Sequence, residues 1–223
     1  MERKTLDEKL ALLRDKLLTM GERTEQALHS AVSALTTRDA VLAKKVLEGD
    51  EIIDQMELDI DRFCVEIIAL QQPAAHDLRF VIAAAKMTPV IERIADHSGS
   101  IAEAVLTLAS APETPSTTEL SFMAERAGEM LRKGLDAFNN EDSEISRQVI
   151  AMDKDIDDAY KKVFGQLLVT MIERPSVSTA AAHLIFVAKH LERIGDYVKD
   201  ICELNVYLRE AVFIKHSPKD GTL

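Results

Sequence analysis

The chain has no tryptophan, and aromatic residues make up only 4% of its 223 positions. Sheets draw on aromatic and β-branched side chains, so a strand-based core is disfavoured. Cysteine is nearly absent too. Cys64 and Cys202 form no C-x-x-C pair and are too few for a disulfide framework, which leaves two small core residues in a reducing compartment. Positive charge is in deficit, with 27 Lys and Arg against 38 Asp and Glu and a net charge of −11, which opposes binding to nucleic acid phosphates. No apolar run approaches the ~18 residues of a membrane span. The longest mainly apolar stretch, Ala180 to Ala188, contains His183, and no apolar segment follows Met1-Glu2-Arg3-Lys4-Thr5. The expected location is cytoplasmic. The eight glycines are scattered and form no phosphate-binding loop.

What is abundant is aliphatic: 47% of the residues are hydrophobic, and alanine, leucine, isoleucine and glutamate are plentiful. That composition favours helices, and the spacing of the apolar residues agrees. The expected fold is all-α, with six helices in two tandem, pseudo-symmetric three-helix bundles. Helix one follows the capping-box pattern Thr5-Leu6-Asp7-Glu8 and carries Leu6, Leu10, Leu13, Leu17 and Met20 on one face, ending near Thr37. Helix two holds Ile53, Met56, Ile60, Phe63 and Ile67 in a three-four rhythm until Gln71-Gln72-Pro73 stops it. Helix three runs to about Ser110, with a kink or break expected at Pro89. Residues 1–110 then form the first repeat and 111–118 a linker. Residues 119–215 form the second repeat, after the capping box Ser116-Thr117-Thr118-Glu119, and 216–223 a frayed tail. In the second repeat the helices run to about Asn139, from about Asp142 to Glu173, and from about Ser176 to Arg209.

The repeat is visible in the residues themselves. Glu92-Arg93-Ile94-Ala95-Asp96 returns as Glu192-Arg193-Ile194-Gly195-Asp196, and Asp50-Glu51-Ile52-Ile53-Asp54 returns as Asp153-Lys154-Asp155-Ile156-Asp157. The offset falls from 103 to 100, so the second half has lost three residues, most naturally near the hairpin joining helices five and six. Residues four apart share a helix face, so Asp50 and Asp54, Glu92 and Asp96, Asp153 and Asp157, and Glu192 and Asp196 each stand side by side. Glu57 extends the first stripe, and Asp200 adds a further pair with Asp196. These stripes border the apolar seams instead of opposing them, so the edges of neighbouring helices converge into one acidic nest per half.

Carboxylates roughly 6 Å apart repel by about 2–3 kcal/mol per pair at an effective dielectric of ~20, so such a nest calls for a counter-charge. Arg93 and Arg193 lie inside the motifs but, one step along the helix, point away from their own carboxylates. A hard cation with oxygen ligands is the natural answer: Mg²⁺, Mn²⁺, Ca²⁺ or iron, with zinc the less obvious choice, and bridging carboxylates allow more than one ion per nest. An isolated D-x-x-x-D is usually a solvated helix edge; four copies duplicated in register favour metal. The candidate ligands are Asp50, Asp54, Glu57, Glu92, Asp96, Asp153, Asp157, Glu192, Asp196 and Asp200. His97 is a poor ligand candidate because its counterpart is Tyr197, and His183 and His190 read as partly buried helix residues. Ser100, opposite Asp200 in the repeat, is small enough to line its nest.

As a set, these motifs resemble the PhoU family of bacterial phosphate-signalling regulators. Two three-helix repeats carry an E-R-I-G-D-type motif on the third helix and D-x-x-I-D on the second, with Gln71-Gln72-Pro73 and Asp77-Leu78-Arg79 at the first hairpin. Pro89 and Ser98-Gly99-Ser100 depart from the family pattern. The resemblance implies a non-enzymatic cytoplasmic homodimer that couples the ATPase subunit of the phosphate ABC transporter to a sensor histidine kinase. It would repress phosphate-starvation genes, meet the membrane only through its partners, and hold metal clusters at the paired acidic motifs. The competing readings are a carboxylate-bridged metalloenzyme, either a metal-dependent phosphohydrolase or a di-iron protein, and a scaffold whose nests bind basic partner segments. Di-iron bundles draw nitrogen ligands from Glu-x-x-His. The sequence has no such motif.

Overall fold

A computed structural model describes residues 2–111, 113–115 and 118–214. Six long helices account for nearly all of it: α1 (Glu2–Thr37), α2 (Ala40–Gln71), α3 (Ala75–Ala109), α4 (Thr118–Asn139), α5 (Ser143–Glu173) and α6 (Ser178–Glu210), with one 3₁₀ turn at Pro175–Val177. Helix α1 is under way by Glu2, so Thr5 lies inside it and does not cap it. Ser116 and Thr117 of the second capping box, and residues 216–223, fall outside the described residues. Helix α3 runs unbroken through Pro89, so of the kink or break expected there the break does not occur. The missing N–H costs one backbone bond, and Met87, Thr88 and Ile91 around it are buried in the core. The three-residue shortening falls at the start of α6.

The two helical hairpins repeat each other in backbone detail. Arg38 and Glu141 both take positive φ, 55° and 51°. The next residue, Asp39 or Asp142, then donates its N–H back to Ala34 O or Ala137 O, at 3.0 and 2.8 Å. This closes the end of one helix. The same aspartate opens the next: Asp39 Oδ1 accepts from the amides of Val41 and Leu42, and Asp142 Oδ1 from that of Ile145.

Helices α1, α2 and α3 pack together, as do α4, α5 and α6, and the halves join through α3 on α6 and α1 on α4. One continuous apolar cluster runs through both, from Leu13, Leu17 and Met20 of α1 to Phe138 of α4 and Ile194 and Ile201 of α6. Among the described residues, α2 and α5 touch only their own bundle and so form the outer flanks. Across the seam α3 and α6 run antiparallel: Arg79 Nε donates to Leu208 O at 3.3 Å near one end, and Arg93 lies against Tyr197 near the middle. Cys64 and Cys202 are buried free thiols, as expected, and burial pushes both up to about 12.

Candidate functional site

The first nest lies along the facing edges of α2 and α3. Asp50, Asp54 and Glu57 come from α2, Glu92 and Asp96 from α3, and the two sets sense each other's charge. The carboxyl of Asp50 is raised above its ordinary range by burial first, then by Asp54 and Asp96. Glu57 is raised by burial and by Asp61, Asp54 and Asp96, with Arg93 opposing. Glu92 goes furthest, up to about 7, through burial and then Asp96, Glu57 and Asp54. Partly buried Asp50, Glu57 and Glu92 and exposed Asp54 and Asp96 have therefore been brought together on two helices, close enough for neighbouring charge to raise the first three. Beside them a pocket of about 360 Å³ is lined by Asp50, Arg93, Asp96, Gly99 and Ser100 among others.

The second nest, on α5 and α6, is differently balanced. Asp153 is buried at 6% exposure. Its Oδ2 accepts from Lys199 Nζ at 2.6 Å, and the same ammonium donates to Asp196 Oδ1 at 2.8 Å. Burial works to lower the Lys199 ammonium, but its bonds to Asp153 and Asp196 outweigh that and hold it above its ordinary value. Burial raises the Asp153 carboxyl, with Lys199 pulling the other way. Its Oδ1 has no hydrogen-bond partner among the described residues. Glu192 accepts from Lys189 Nζ at 2.6 Å. Arg193, expected to point away, reaches Asp196 at 3.6 Å because residues three apart also share a helix face. Asp157 stands close enough to Asp153 to raise it further. Asp200 lies to one side, lining a pocket of about 200 Å³ with Lys86, Val90 and Phe213.

Between the nests, on the α3–α6 seam, His97 Nδ1 sits 2.9 Å from His190 Nδ1, and the His97 ring stacks on Tyr197. Burial, then His190, Arg193 and Arg93, lower His97 to about 4, and burial lowers His190. The two residues set aside as ligands are thus interface groups facing each other. Among the described residues, no group of three or more His, Cys, Asp or Glu side chains stands in an arrangement that holds an ion as it is. Among those residues, too, no helix is long and apolar enough to cross a membrane.

Sequence reasoning missed Lys199. Its signal was present in two places: Lys199 follows Asp196 by three residues on one helix, and its counterpart in the repeat is Gly99.

Comparison with known proteins places this geometry. The PhoU domain model matches twice, over residues 17–105 and 120–204. The phosphate-specific transport system accessory protein PhoU homolog of Pseudomonas putida is 38% identical over 205 residues, covering 92% of this chain and 80% of that protein. The phosphate-specific transport system accessory protein PhoU of Escherichia coli is 36% identical over 211 residues, covering 93% and 86%. Among solved structures, PhoU from Pseudomonas aeruginosa superposes with a TM-score of 0.90 at 35% identity, covering 92% of this chain and 99% of that one. The phosphate transport system regulatory protein PhoU from Streptococcus pneumoniae gives 0.88 at 28%, covering 94% and 99%.

Proposed function

The chain belongs to the PhoU family, and on that premise we propose that it is a non-catalytic regulator of phosphate homeostasis. It links the ATPase subunit of a phosphate ABC transporter to a sensor histidine kinase and keeps phosphate-starvation genes repressed while phosphate is ample. What supports the transport side is that relatives matching more than nine-tenths of the chain are accessory proteins of the phosphate-specific transport system. In this reading it works in the cytoplasm as a homodimer and reaches the membrane only through those partners.

The acidic nests are the part of the molecule through which a cation would act. The donor set of the first nest fits a hard ion: its carboxylates come from two helices, and Asp50, Glu57 and Glu92 are pushed toward the protonated form by burial first and then by neighbouring carboxylates. Asp50, Asp54, Glu57, Glu92 and Asp96 would hold it. A bound Mg²⁺, Mn²⁺ or ferric ion would supply the missing charge and tie α2 to α3. The second nest carries Asp153, Asp157, Glu192 and Asp196, with Asp200 beside them, but already contains an ammonium.

The test is genetic. Deleting the gene with the transporter left intact should derepress phosphate-starvation genes in phosphate-rich medium, read by transcript levels. Unchanged transcripts reject the assignment. Steady phosphomonoester hydrolysis by the purified protein, lost on Asp96→Asn, would instead make it a metallohydrolase.

A further inference from the structure

We propose that Lys199 is a built-in counter-ion of the second nest, so that the two nests are unequal and an external hard cation enters only the first. This rests on the reading of the nests as cation sites. Lys199 Nζ lies 2.6 Å from Asp153 Oδ2 on α5 and 2.8 Å from Asp196 Oδ1 on α6, so its ammonium already links the carboxylates of the two helices. A Mg²⁺ ion needs its oxygens at about 2.0–2.1 Å with near-octahedral geometry, so ion and ammonium cannot share these two oxygens. Displacing the ammonium breaks two charge-assisted hydrogen bonds, the strong kind. The packing also favours Lys199 staying. A Cβ on Gly195 would stand 3.0 Å from Asp153 Oδ1 and 3.1 Å from Ile156 Cδ1, so Asp153 is pressed against α6 beside the ammonium that pairs with it.

The first half lacks this device. Its counterpart position is Gly99, where an added Cβ would meet only Leu47 Cδ2, at 3.7 Å. The pocket of about 360 Å³ opens there beside Asp50 and Asp96. Arg93 lowers Glu92 and Glu57 by its charge, but it forms no ion pair with the nest among the described residues and lies against Tyr197 across the seam. The second nest does retain donor capacity behind the lysine: Asp153 is more than nine-tenths buried and its Oδ1 has no partner among the described residues. Removing the ammonium would uncover a site like the first.

The experiment titrates chelator-stripped full-length protein with Mn²⁺, reading bound metal per chain and affinity. The parent should bind at the first nest alone, and Asp96→Asn should weaken that binding at least ~tenfold, the scale of losing even a supporting group around a metal. Asp196→Asn should leave bound Mn²⁺ unchanged. Lys199→Met should raise the Mn²⁺ bound at saturation, and adding Asp196→Asn to it should abolish the gain. Lys199→Arg, which keeps the charge, should match the parent and controls for folding. A parent that loses half its Mn²⁺ on Asp196→Asn, or a folded Lys199→Met that gains none, overturns the proposal but leaves the first nest standing. A parent that binds no Mn²⁺ rejects the cation reading itself and the proposal with it.

Discussion

A single hydrogen atom at Gly195 decides how closely α6 can approach the buried Asp153. Alanine is worth up to about 1 kcal/mol over glycine inside a helix. At Gly99, where an added methyl meets nothing nearer than 3.7 Å, that gain should appear as a raised melting temperature. At Gly195 the same methyl presses on Asp153 and on the buried Ile156, and overpacking of this kind costs about 1–3 kcal/mol. Gly195→Ala should therefore melt below Gly99→Ala; equal melting temperatures would mean that Asp153 gives way freely. The titrating groups act in opposite directions. Glu92, raised from its ordinary 4.5 to about 7, binds protons more readily folded than unfolded, so in chelator its contribution to stability is present below 4.5 and lost as pH rises through 7. Glu92→Gln should melt above the parent at pH 8 and converge on it near 4.5. His97, lowered from 6.5 to about 4, works the other way: stability falls as pH drops from 6.5 toward 4, and His97→Asn should hold its melting temperature better across that window. The acidic residues were legible in the sequence because i,i+4 spacing fixes their common face. Lys199 was not: a lysine three residues from an acid is the commonest of surface pairs, and only the buried partner Asp153, on another helix, makes it different.

The two hairpins show one closure carrying different side chains. Arg38 is exposed and holds a left-handed backbone position that costs an L-residue roughly 1–2 kcal/mol. Arg38→Gly should be neutral or slightly stabilising. Glu141 holds the equivalent position but accepts from Arg14 Nη2 at 2.7 Å and lies 2.9 Å from His76 Nε2. Glu141→Gly should cost stability despite the same backbone relief, and thermal melts of the two variants separate the cases. Asp39→Ala should cost about 1 kcal/mol by leaving the first amides of α2 without their cap. Helix number, type and most ends could be read from apolar periodicity and from Pro73 and Pro175. The start of α1 and the passage through Pro89 could not. The passage through Pro89 goes with the burial of Met87, Thr88 and Ile91 around it, which a missing backbone bond does not undo, whereas Thr5 is exposed inside α1 and its capping pattern marks no helix end.

Arg14 joins the halves at one end of the molecule. It donates to Asn139 O at 2.8 Å and to Glu141, and its guanidinium lies 4.7 Å from the centre of the Phe80 ring. Because the apolar cluster is continuous, heating should give one transition. Arg14→Ala should lower its midpoint by the equivalent of about 2–4 kcal/mol without splitting it, as followed by circular dichroism. A second transition would mean that the bundles are separate folding units. The repeat told where two bundles lay, but not how they met, since Arg79 and Arg93 lie inside motifs while their neighbours across the seam, Leu208 and Tyr197, lie outside them.

Arg93 reaches Tyr197, and His97 feels the charge of Arg193, which is the reciprocal pairing of a two-fold interface. In two identical subunits that symmetry is binding: whatever side chain sits in one copy sits in the other. Joining both copies into one chain keeps the partner permanently at hand, at an effective concentration set by the connecting residues. It also lifts the requirement of sameness. Position 99 can then hold glycine while its counterpart 199 holds lysine, a distinction no homodimer of half-chains could encode.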